Sequence, residues 1–301
     1  MESDGSRSYA LEREEPLGEG LTAIAAGRAD KALERLREGG EVDLADAIHG
    51  ARKDMKKLRT VLRLVRDELP QGVYEEENRR YRDAGRALSA SRDAEVKAQT
   101  LETLAKCADG LPEEAVEAWR QILARDREAA NDVARDDPAF AATIELIEAG
   151  REGIERWKSK DDWRAIGRGL KRVYRRGRQA RKAAEGEPSE ANVHEWRKGA
   201  KDLRYAVELL EGAWDRPLEA TAGEAHRLTD LLGDHHDLAV LREDLHRRRL
   251  GEQETRTLEE AIDARQRDLV AEALPLGQRL YAEGPKAFNR RLRRYWQAWR
   301  G

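Results

Sequence analysis

The chain has 301 residues, 39% of them charged and only 5% aromatic, with a formal net charge of −3. A single cysteine, Cys107, excludes an internal disulfide framework and Cys-paired zinc sites. No apolar run approaches the about 18 residues a transmembrane helix needs, and Met1 to Ala10 lacks an apolar signal core, so a cytoplasmic protein without membrane association is expected.

Ala, Leu, Glu and Arg dominate, all strong helix formers, and no stretch alternates with the period of two that a strand requires. After a loose tail at 1–8, helices are predicted over 17–38, 43–69, 73–107, 113–131, 139–158, 161–185, 189–213, 217–249, 254–273 and 285–300. The eight prolines are taken as boundary marks, because proline breaks a helix interior. The fold class is all-α.

Within the second and seventh of these helices a motif recurs. Ile48-His49-Gly50-Ala51-Arg52-Lys53-Asp54-Met55-Lys56-Lys57-Leu58-Arg59 returns as Val193-His194-Glu195-Trp196-Arg197-Lys198-Gly199-Ala200-Lys201-Asp202-Leu203-Arg204, at an offset of 145. From His49 to Leu64, seven of 16 positions are identical, against one or two expected from composition. At an offset of 144, Leu88 to Asp93 aligns with Leu232 to Asp237. The repeat predicts two helical units, 9–160 and 161–301, packed pseudo-symmetrically around a shared cleft.

At about 100° per residue, His49, Arg52, Lys53, Lys56, Arg59 and Arg63 fall on one helix face, opposite Leu58, Val61, Leu62 and Val65. The second copy repeats the face with Arg197, Lys198, Lys201 and Arg204, but Glu208 stands where Arg63 stands in the first. The segment Arg164–Lys182 carries nine basic residues and no acid, with Arg168, Lys171, Arg175 and Arg178 in one row. A shorter row holds Lys286, Arg290 and Arg293 opposite Phe288 and Leu292. Solvated faces ordinarily interleave Glu with Lys, because like charges at i,i+4 repel. Rows of cations without acids therefore point to an anion-binding surface, and Arg, the majority cation in them, grips phosphate oxygens bidentately.

The paired His-x-x-Arg-Lys-x-x-Lys-x-Leu-Arg helices, the Arg92-Asp93 and His236-Asp237 sequences, the Arg-rich 164–182 segment and the opening Tyr9-Ala-Leu-Glu-Arg-Glu-Glu-Pro-Leu together resemble the CHAD family (conserved histidine α-helical domain) over about residues 9 to 300. The resemblance implies two pseudo-symmetric bundles meeting at a basic cleft that binds inorganic polyphosphate, in a protein found on polyphosphate granules. It also implies ligand contacts at His49, Arg52, Lys53, Lys56 and Arg59, with His194, Arg197, Lys198, Lys201 and Arg204 as their counterparts. Arg63, Arg92, Arg168, Lys171, Arg175, Arg178, Arg290 and Arg293 join this set from the cationic rows. The chain departs from the pattern at Lys57/Asp202 and Arg92/His236. Relatives that carry a fused triphosphatase bear a Glu-x-Glu-x-Lys signature, which this sequence lacks. The expectation is binding without catalysis, with no cofactor and no metal.

Three rivals carry less. Glu243-x-x-His246 has a di-iron spacing but no second copy, and His235-His236-Asp237 with His226 lacks the further ligands a metal phosphohydrolase needs. A polyphosphate-cleaving enzyme would need magnesium carboxylates in the cleft, for which Asp93 and Asp237 are the sole candidates. A generic polyanion or nucleic-acid binder is the alternative, and weak nucleic-acid binding is expected of any basic surface. No aromatic platform interleaves the cations, although Tyr205 lies near the basic face. Lys97 and Lys160 are expected to be exposed positions away from the cleft.

Overall fold

The computed structural model describes residues 8–38, 44–88, 90–108, 111–136, 138–157, 159–248 and 252–301. Its elements are α1 (Leu17–Glu38), α2 (Leu44–Val65), α3 (Val73–Ala87), α4 (Ala90–Cys107), α5 (Glu113–Asp136), α6 (Pro138–Ile154), α7 (Arg164–Gly186), α8 (Glu190–Glu208), α9 (Asp215–Arg248), α10 (Glu252–Leu280) and α11 (Pro285–Arg300). Short 3-10 turns follow α2 (Arg66–Glu68) and α8 (Glu211–Ala213). Among the described residues there is no strand.

Two expectations need correction. The predicted helix 73–107 is two helices, broken after Leu88, whose side chain turns into the core. Pro275 lies inside α10 and does not end it. Its ring removes one backbone donor, while Leu269, Val270, Ala273 and Leu276 keep the helix buried along one side through the proline.

Neighbours in sequence pack as neighbours in space: α1 on α2, α7 on α8, α8 on α9, α4 on α5 and α9 on α10. The arrangement recurs along the chain, with α1 against α2 and α6 as α7 is against α8 and α11. The larger apolar core joins α1, α2, α7 and α8 through Ile24, Leu58, Leu62, Leu170, Tyr174, Trp196 and Leu203. A second cluster takes Leu101 and Leu104 from α4, Trp119 and Leu123 from α5, Leu238 and Leu241 from α9, and Leu258 and Ile262 from α10. Both cores draw on residues from either side of position 160.

Helices α7 and α8 approach closely at a pair of glycines. A Cβ on Gly199 would sit 2.6 Å from the Cα of Gly177. This contact brings the motif helix α8 against α7, while α2 packs on both. The two motif helices are therefore neighbours, with α9 along the far flank of α8.

Candidate functional site: a cationic cleft on α2, α8 and α9

The α2–α8 crossing is fixed by two reciprocal ion pairs. Lys57 Nζ lies 3.0 Å from Glu208 Oε2, and Arg63 Nη1 lies 3.1 Å from Asp202 Oδ1. Asp202 and Glu208 stand 145 positions after Lys57 and Arg63, so each cation of α2 is answered by the acid at the other's equivalent position. The departures from the repeat thus neutralise cations that would otherwise meet like charges where the helices cross. Lys57 is enclosed further, 4.3 Å above the ring of Tyr9, whose hydroxyl donates to the Lys57 carbonyl. Burial lowers the Lys57 pKa, and Glu208 partly restores it.

Beyond the crossing, basic groups of α8 crowd one another. Along α8, His194, Arg197 and Lys201 are half-buried between α2 and α9. The rings of His194 and His236 meet at a tilt of 39°, with centroids 4.5 Å apart. His194 Nδ1 and Arg197 Nε are buried without a hydrogen-bond partner. Burial lowers the Arg197 pKa, opposed by Asp237 and Asp234 of α9. Lys201 is pushed down to about 7, first by burial and then by Arg197 and by Lys56 of α2. His236 falls to about 4 through burial and its neighbours Arg197, His194 and Lys201, and burial lowers His194 as well. On α2, His49, Lys53 and Lys56 are exposed and Arg52 is half-buried.

The remaining expected residues divide. Arg59 turns to α3, donating from Nε to Asn78 Oδ1 at 3.1 Å, and burial beside Arg63 lowers it to about 10. Lys198 pairs with Glu195 at 2.7 Å, and Arg204 with Glu208 at 2.6 Å. On α7, Arg168 and Arg175 are exposed and Lys171 half-buried, while Arg178 Nε donates to the Tyr281 carbonyl at 3.2 Å. Arg290 and Arg293 are exposed on α11, which packs on α7 and the 211–213 turn and not in the cleft. The Arg92 and Asp93 side chains lie outside the described residues.

Sequence reasoning placed some groups wrongly and missed others. Tyr205 is buried against Tyr9, edge to face, and presents no ligand platform. Lys97 is not a free surface lysine, because its Nζ lies 3.0 Å from Asp244, a carboxylate with a 1% exposed side chain. Arg172 and Arg176 of α7 reach toward the α2–α8 crossing, bonding Asp67 at 3.0 Å and Glu195 at 3.0 Å. They lay off the row that the wheel selected. His236 belongs to the cleft, and its alignment with Arg92 was the available signal. Among the described residues, no group of three or more His, Cys, Asp and Glu could hold a metal ion, and no helix is long and apolar enough to cross a membrane.

This architecture has known counterparts. The crystal structure of the CHAD domain from the plant Ricinus communis superposes with a TM-score of 0.59, covering 95% of both chains at 19% identity, a likeness of fold. A search of curated proteins found no match. The family model of the CHAD domain matches residues 23–246, a span that contains both motif helices and all but the last two residues of α9. The chain belongs to the CHAD domain family.

Proposed function

We propose that this chain binds inorganic polyphosphate in the cleft of α2, α8 and α9 and holds it without turnover. The observation that carries this reading is a set of desolvated basic groups on α8: among the described residues, His194 Nδ1 and Arg197 Nε are buried with no hydrogen-bond partner, and Lys201 is held among other cations. Native interiors rarely leave such groups unmet, so a buried donor facing a cleft calls for an acceptor from outside. A flexible polyanion without bases to read supplies acceptors at each phosphate. It would bind by charge-assisted contacts and counterion release, as nucleic-acid backbones do. Family membership supports the same ligand, and binding to polyphosphate granules in the cytoplasm follows as its cellular expectation.

The test is fluorescence anisotropy with end-labelled long-chain polyphosphate over a salt series, with unlabelled duplex DNA as competitor. The double variant Arg197→Gln, Lys198→Gln is expected to lose about 10- to 100-fold in affinity. Lys160→Glu, at an exposed position 3.8 Å from Glu68, should change little. Equal displacement by duplex DNA would replace this reading with that of a generic polyanion surface, to which exposed Arg168, Arg175 and Lys182 of α7 would contribute.

A further inference from the structure

Lys201 lies half-buried among other cations. On its own helix it faces His194, Arg197 and Arg204; from α2 it faces Lys56, and from α9 His236. The nearby acids are committed elsewhere. Glu195 binds Lys198 and Arg176 of α7, Glu208 binds Lys57 and Arg204, and Asp202 binds Arg63 and Arg176. On α9, Asp230 holds His226, and Asp234 lies in the field of Arg197 and of Arg265 from α10. Among the described residues Asp237 favours the charged lysine, and it also acts on Arg197. The side chains of residues 90–93 at the start of α4 lie outside the described residues.

A second feature lies against the first. The His194 and His236 rings are in tilted contact, centroids 4.5 Å apart, each burdened by the Arg197 charge, and among the described residues His194 Nδ1 is buried without a hydrogen-bond partner. This face therefore gathers three titratable bases whose charged forms burial and neighbouring cations oppose. A polyanion reverses that balance, because phosphate oxygens accept from ammonium and imidazolium alike and offset the repulsion among neighbouring cations.

Resting on the reading of polyphosphate as ligand, we infer that filling the cleft draws protons onto Lys201 and the His194–His236 pair, so that the site binds polyphosphate more tightly as the pH falls. The sign follows from linkage. A base whose pKa rises on binding takes up a proton wherever the pH lies between its free and bound values, and affinity falls as pH rises through that window. For Lys201 the window opens at about 7 and extends upward, while for His236 it opens at about 4. Near neutrality and above, Lys201 dominates. The histidines act on the acid side.

The experiment measures affinity for labelled long-chain polyphosphate from about pH 6 to about pH 9 at fixed ionic strength, with calorimetry in two buffers of different ionisation enthalpy to count protons taken up. Wild-type affinity is expected to fall by up to about tenfold per pH unit above about 7, with net proton uptake. Lys201→Arg, charged throughout, should still bind and lose most of that slope. Comparing the two proteins cancels titration of the ligand's own end groups. Tight binding with a flat profile and no proton uptake would overturn the proton linkage and leave the polyphosphate reading intact. A slope unchanged in Lys201→Arg would overturn the role of Lys201, and calorimetry on the wild type decides the linkage even if that variant folds poorly. No binding at any pH would overturn the underlying reading itself.

Discussion

Glu208→Gln separates the structural from the ligand-binding use of charge. Glu208 holds Lys57 Nζ at 3.0 Å and Arg204 Nε at 2.6 Å, and the Glu208, Lys57 and Arg204 side chains are each 15% exposed. Exposed pairs contribute under about 1 kcal/mol, and breaking fully buried ones costs about 3–5 kcal/mol. This half-buried three-member cluster lies between, at about 2 kcal/mol, or roughly 4–6 °C in Tm for a chain of this size. The loss has a defined pH dependence. Without Glu208 the Lys57 pKa, already lowered by burial, drops further, so the penalty is full while Lys57 is charged and eases as pH rises through its folded value. Binding should move the other way, because Arg204 is released and one negative charge leaves the crossing. The slope of log affinity against log salt should steepen by at most about 0.9, the increment for one phosphate contact in nucleic acids. Thermal unfolding and the anisotropy titration measure the two effects. A variant as stable as wild type, or one that binds more weakly while fully folded, would refute the assignment of Glu208 as an internal counter-charge.

Three further substitutions test the frame that holds the cleft. Gly199→Ala would drive a methyl into the backbone of α7 at Gly177, which cannot yield as a side chain would, and should cost about 1–3 kcal/mol. Gly223→Ala on α9, with no heavy atom within 4 Å of the added Cβ, should instead raise stability by up to about 1 kcal/mol in the same unfolding assay. Asp244→Ala should destabilise by about 1–3 kcal/mol, because it leaves Lys97, 13% exposed between α4 and α9, with Asp126 at 4.0 Å and removes the acid shared by Arg247 and Arg248. Polyphosphate affinity measured well below the unfolding transition should be unchanged in that variant.

The all-α class and the motif helices were legible because both are written in short-range order: helix formers throughout, and an apolar face at helical spacing along Leu58, Val61, Leu62 and Val65. The errors fall where a tertiary partner decides. Pro275 is tolerated because its helix stays buried on both sides of the proline. Lys97 looks solvent-bound until α9 places Asp244 beneath it. The cationic row of α2 looks continuous on a wheel, yet its members face different neighbours, Arg59 toward Asn78 of α3, Arg63 toward Asp202 and Lys57 toward Glu208. A wheel gives direction around one axis and says nothing about the other helix. The repeat did contain part of that information. Where Lys57 and Arg63 give way to Asp202 and Glu208, the substitution looked like a weakened second half. Once the helices cross, those acids serve the first half's cations. Equivalent positions that differ in the sign of their charge are what two similar surfaces need in order to pack, because identical cationic faces brought together would repel. Among the described residues, His194, Arg197 and Lys201 lie away from that crossing, and on the proposed reading it is there that α8 offers charge to a ligand.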